Sequence, residues 1–102
     1  MKWHNEHLAG IIPLMLSEHD PRPMREQLHT GYAHGGGVQP FKGFTKLIDH
    51  ENPMNSELYY PGDRPTKAVA FARLRDELLI LFAHSWAAIV SPGEETIITR
   101  MD

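Results

Sequence analysis

Apolar residues recur in two different rhythms along this chain. In the N-terminal third they fall at helical spacing. Leu8, Ile11, Ile12, Met15 and Leu16 mark one amphipathic helix, kinked at Pro13 or divided there into two short pieces. Asp20-Pro21 predicts the start of a second helix, over roughly 21–33, because aspartate caps free N–H groups and proline fits the first turn. Met24, Leu28 and Tyr32 then form a stripe that would face a core. Gly35-Gly36-Gly37 ends that helix.

Beyond the glycines the rhythm shortens. Residues 38–41 and 45–48 read as short edge strands, and the polar stretch 49–56, with Asn52-Pro53 inside it, reads as a flexible loop. Residues 57–60 are strand-like and stop at Pro61-Gly62, a pair suited to the centre of a type II turn. Four stronger strands are predicted near 67–74, 78–83, 86–91 and 95–100. The first places Val69 and Phe71 on one face and Ala68, Ala70, Ala72 and Leu74 on the other. The next two are almost continuously apolar, the mark of central strands covered on both faces. Short turns between them make neighbours antiparallel. The pattern predicts an α+β fold over residues 1–102, a single domain with two N-terminal helices packed on an antiparallel β-meander of four to six strands.

Composition adds limits. With 102 residues, 41% hydrophobic and 23% charged, the chain suits one core and not global disorder. A formal net charge of −3 argues against a whole-protein field for nucleic acid. The charge is uneven: from residue 76 onward, Asp76, Glu77, Glu94, Glu95 and Asp102 face Arg100 alone. There is no cysteine, which removes disulfides, thiol nucleophiles and Cys-ligated zinc. The apolar run 8–16 contains Gly10 and Pro13 and is too short to span a bilayer. It also lacks the cleavage site of a signal peptide, so no membrane is expected and the cytoplasm is the default location.

Four constellations invite a chemical reading. His34-Gly35-Gly36-Gly37 matches the oxyanion loop of lipases, but no G-x-S-x-G elbow accompanies it and a hinge after a helix explains the glycines. Seven histidines include the pairs His4/His7 and Glu26/His29 at helical spacing. A metal site would need to borrow His34, His50 or His84, and the expectation is no bound metal and no cofactor. His84-Ser85 lies near Asp76 and Glu77 in sequence, yet adjacent strand residues point apart unless a turn intervenes. Phe41-Lys42-Gly43-Phe44-Thr45-Lys46 interleaves aromatics with lysines as single-strand binders do. Nucleic-acid binding is therefore the alternative function, through Lys42, Phe44, Lys46, Arg64, Lys67, Arg73 and Arg75. A His-dependent metalloenzyme is a further alternative.

Tyr32-Ala33-His34-Gly35-Gly36-Gly37 followed by Pro40-Phe41, then Tyr60-Pro61-Gly62-Asp63, Leu74-Arg75-Asp76-Glu77 and the closing Thr99-Arg100-Met101-Asp102, resemble small uncharacterised phage and prophage proteins over most of residues 20–102. The resemblance implies a context, since small phage accessory proteins work by binding and blocking host enzymes. The reading that follows is a non-catalytic protein-binding module that inhibits or redirects a host protein with a basic surface. Its expected contact residues are Asp76, Glu77, Glu94 and Glu95, placed by two hairpin turns at one end of the sheet, with loop 49–56 as a second candidate.

Overall fold

The computed structural model describes residues 16–31, 43–59 and 64–100. It contains helix α1 (Met24–Gly31) and strands β1 (Thr45–Leu47), β2 (Glu57–Tyr59), β3 (Thr66–Leu74), β4 (Glu77–Phe82), β5 (Trp86–Val90) and β6 (Ile97–Arg100). The strands form one six-stranded antiparallel sheet in sequence order.

The expected layer of two helices on a meander is therefore incorrect. Among the described residues there is one α-helix, of eight residues, and the architecture is dominated by the sheet. Leu16 lies in an irregular segment, while residues 8–15 of the first expected helix, Tyr32 and the three glycines lie outside the described residues. The second helix starts at Met24, three residues later than expected. Pro23 keeps Arg22 out of helical geometry. The carbonyl of Pro23 then accepts the N–H groups of Glu26 and Gln27, opening the first turn. Asp20 does not cap the helix: its Oδ1 accepts the Arg22 N–H at 2.9 Å in a local turn ahead of it.

β4 is buried at all six positions, so both faces of the sheet need cover. On one face, Leu79 and Leu81 join Ala70, Leu74, Ala87 and Ile89 beneath Met24 and Leu28 of α1. On the other, Leu78, Ile80 and Phe82 join Ala88 and Ile98, covered by Leu58 of β2 with Phe44 and Ile48 flanking β1. The sheet thus folds over and supplies its own second cover. Phe44 meets the Trp86 ring edge-on with centroids 4.7 Å apart, although three strands separate β1 from β5 in the sheet order. This curl resembles half of a barrel.

The bend has a cause in β3. Ala68 opposes Phe82 and Ala70 opposes Leu81, which leaves Val69 as an extra residue in a β-bulge. The alternation expected for β3 breaks there: Ala68 faces the Phe82 side, whereas Ala70 and Leu74 face the helix. β2 pairs with Thr66 and Lys67, immediately before the bulge. A bulge bends its strand and increases local twist, so the β1–β2 hairpin swings over the inner face from this point.

One connection departs from expectation, and another takes the expected turn in strained form. Segment 49–56 is built, not loose. Asp49 Oδ1 accepts the N–H groups of Glu51 at 3.1 Å and Asn52 at 2.9 Å. Ser56 Oγ accepts the Asp49 N–H at 3.0 Å, and Pro53 is buried within a 3-10 turn, Pro53–Asn55. Between β4 and β5, His84 and Ser85 both take left-handed backbone, φ 63° and 66°, which costs a side-chain-bearing residue about 1–2 kcal/mol.

Leu81 is fully buried at the centre of the helix-covered face. Leu81→Ala should lower unfolding stability by about 2–5 kcal/mol in urea titrations followed by tryptophan fluorescence. A loss below about 1 kcal/mol would show that this face is not a packed core.

Candidate functional site

Two hairpin turns meet at one end of the sheet. Leu74 pairs with Glu77, leaving Arg75-Asp76 as a two-residue turn between β3 and β4. Residues 91–94 turn between β5 and β6, closed by the Glu94 N–H on the Ser91 carbonyl at 3.2 Å, with Gly93 at φ 73° as a Pro-Gly type II turn requires. Between these turns and the segment leading into α1 lies a cleft of about 240 Å³. Pro21, Pro23 and Pro92 wall it, Glu77 and Ser91 lie at its base, and Arg75, Asp76 and Glu94 line its rim.

The base of the cleft is a polar network inside an otherwise apolar end of the core. Glu77 is 7% exposed. Its Oε1 accepts the Met24 N–H at 2.8 Å, and its Oε2 accepts the Ser91 hydroxyl at 2.6 Å. A carboxylate at a helix N-terminus satisfies a free donor and complements the helix dipole. Ser91 Oγ in turn accepts Arg25 Nη2 at 3.1 Å, and the same guanidinium nitrogen lies 3.2 Å from Glu94 Oε2. Arg75, at φ 54°, donates Nη2 to the carbonyls of Asp20 at 2.8 Å and Arg22 at 3.1 Å. Gln27 Nε2 also donates to the Arg22 carbonyl, at 2.9 Å. Asp20 and Arg22 form a bidentate pair, with Nη2 2.7 Å from Oδ2. Hydrogen bonds from Arg22 hold the Asp20 carboxyl below the usual carboxylate range.

The four predicted contact residues thus have different fates. Asp76, Glu77 and Glu94 border one cleft, as the meander places them, while Glu95, the residue after Glu94, is exposed and does not line it. Glu77, however, is committed to the interior, and Glu94 is paired with Arg25. The Arg25–Ser91–Glu77–Met24 relay was not legible in the sequence. Its bonded partners lie up to 66 residues apart, and the only signal was one acidic residue heading an otherwise apolar strand.

The basic set is scattered. Lys42 lies outside the described residues. Phe44 is half-buried against Trp86. Lys46 is exposed on the edge strand β1, while Arg75 sits at the far end of β3. Arg73 donates Nη2 to the His50 carbonyl at 2.6 Å and lies over the Phe71 ring at 5.8 Å. Lys67 pairs with Glu57 at 3.1 Å, and Arg64 is exposed. His84 and Ser85 do lie in a turn, but β4 runs between them and Glu77. Among the described residues no three His, Asp or Glu side chains converge as metal ligands would. His4, His7 and His34, with the side chain of His29, lie outside the described residues. Among the described residues no helix is long and apolar enough to cross a membrane.

On the outer side of the β1–β2 hairpin, Glu57 accepts the Tyr59 hydroxyl at 3.1 Å and pairs with Lys67. Lys67 first, and Tyr59 second, hold the Glu57 carboxyl below the usual range. The same hydrogen bond pushes the Tyr59 phenol upward.

No protein-family model matches the chain, and neither the curated proteins nor the solved structures provide a match.

Glu77→Ala would leave the Met24 N–H and the Ser91 hydroxyl without their charged acceptor. It should cost about 2–4 kcal/mol in urea unfolding, whereas Asp76→Ala, exposed one residue away, should stay within about 0.5 kcal/mol. Equal effects would remove Glu77 from this role. The carboxyls of Glu57 and Asp20 are both more acidic in the folded chain than in the unfolded one. Their contribution is complete above the ordinary carboxylate range and is lost as pH falls through it. Unfolding stability measured from about pH 6 to pH 3 should therefore decline less steeply in Glu57→Gln than in the parent. An unchanged slope would show that the Glu57 interactions do not contribute.

Proposed function

We propose that this protein is a non-catalytic protein-binding module, acting in the cytoplasm as a phage or prophage accessory factor that inhibits or redirects a host protein. The phage context rests on the sequence resemblance. The binding surface rests on one observation: the β3–β4 and β5–β6 turns stand side by side, with exposed Asp76 and Glu94 lining a proline-walled cleft and exposed Glu95 following Glu94 in the chain. The partner that suits it carries a basic surface, because exposed carboxylates gathered at one end accelerate encounter with positive charge. The groups beneath them are bound to one another, so the cleft's base supports the fold and its rim supplies the contact. Ser91, whose hydroxyl donates to Glu77, is buried together with it and accepts from Arg25, which suits a role in holding the fold.

The buried position of Glu77 determines how this is tested. Charge reversal there would place an ammonium group in the interior and confuse binding with unfolding. Asp76→Lys combined with Glu95→Lys changes only exposed positions. With a partner isolated by affinity capture and purified, stopped-flow association at low salt should slow by about tenfold, and the difference should shrink as salt is raised. Association as fast as that of the parent chain at low salt would rule out the turn end as the electrostatic contact.

A further inference from the structure

The second opening to a partner lies at the other end of β3. β1 is the outermost strand of the sheet and pairs only with β2 among the described residues, through Thr45 with Tyr59, Lys46 with Leu58 and Leu47 with Glu57. All three of its residues are exposed. Leu47 is the most exposed large apolar side chain among the described residues, at 56%. Facing residues of paired strands share a side of the sheet. Thr45 and Leu47 therefore lie on the outer side with Tyr59 and Glu57, and Lys46 lies on the inner side with Leu58. Lys46 forms no ion pair with a described residue.

We propose that the edge of β1 left unpaired among the described residues receives an extended strand from another protein, one that places a carboxylate opposite Lys46 and an apolar side chain opposite Leu47. An unpaired edge offers backbone donors and acceptors in register for one more strand. Lysine at such an edge acts as a selector. Two copies of this chain pairing antiparallel about β1 would set Lys46 against Lys46, and like charges directly opposite are destabilising. Shifted registers would leave fewer than three facing pairs on so short a strand. A carboxylate in the incoming strand converts the same lysine from a barrier into a partner. On the outer side, the exposed Leu47 and the adjacent Tyr59, held by its bond to Glu57, supply the apolar contact. Three residues give few backbone hydrogen bonds, so the side-chain match at Lys46 and Leu47 decides which strand is accepted.

This inference is independent of the acidic turns, since β2 meets β3 at Thr66 and Lys67 whereas the cleft lies past its last residue, Leu74. The test uses the full chain, isotope-labelled for NMR, and blocked pentapeptides as probes. Titration with Thr-Val-Glu-Val-Thr should shift backbone amides within 44–48 and 57–59. The peptide with lysine at its centre should bind at least about fivefold more weakly. Lys46→Glu should reverse that order, and a central proline should abolish binding in both. Asp76→Lys with Glu95→Lys should leave all of this unchanged, so failure here and failure of the acidic contact are separable. Absence of shifts at β1, equal affinities for the two charged peptides, or a dimer in sedimentation whose β1 amides alone change with concentration would each overturn the proposal.

Discussion

A strand buried on both of its faces is the constraint from which this structure follows. β4 carries apolar side chains at five of its six positions and is closed to solvent at every one. In a small antiparallel domain, one face of a sheet is ordinarily left wet. Here neither face can be. One cover comes from α1 through Met24 and Leu28, and the other from the sheet itself, turned back at the Val69 bulge so that Leu58, Phe44 and Ile48 reach Phe82 and its neighbours. The bulge is what permits this economy of means: one extra residue turns a flat meander into its own lid.

The first residue of β4 is the exception that ties the covers together. Glu77 brings a charge into the interior, which is costly without partners. Its partners are supplied by both flanks, the helix N-terminus through Met24 and the β5–β6 turn through Ser91. Arg75, two residues earlier, grips the chain just before the helix through the carbonyls of Asp20 and Arg22. The left-handed backbone of Arg75 is unfavourable for a residue with a side chain, and two charge-assisted hydrogen bonds offset it. A single turn thus holds the approach to the helix from both sides.

Much of the sheet was legible in the sequence because its signals are local. The apolar run at 78–82, the Pro92-Gly93 turn and the nearness of the two acidic turns all follow from residue type and spacing. What was not legible depends on encounters between distant residues. The helix begins late because Pro23 restrains Arg22 and because its free donor is met by a carboxylate 53 residues away. Alternation alone assigns Ala68 to the same face as Ala70, and no property of Val69 announces a bulge; only pairing with β4 does. Segment 49–56 reads as loose from its polarity, yet Asp49 and Ser56 spend that polarity on the backbone. The same lesson applies to the candidate site. Acidic residues at a turn look alike in sequence, and burial separates Glu77, which supports the fold, from Asp76 and Glu95, which face solvent.

The dependence of α1 on Glu77 also orders events in time. An eight-residue helix is too short to persist alone in water. The β3–β4 hairpin, by contrast, closes through a two-residue turn, an event that takes microseconds in isolated hairpins. The leading N–H of the helix exchanges water for the Glu77 carboxylate only where that hairpin has brought Glu77 into place, and Ser91 joins through the strand β5 it follows. The contacts that hold α1 are thus ones that only the paired C-terminal strands can supply. During synthesis the residues of α1 therefore emerge before the strands whose side chains hold the helix.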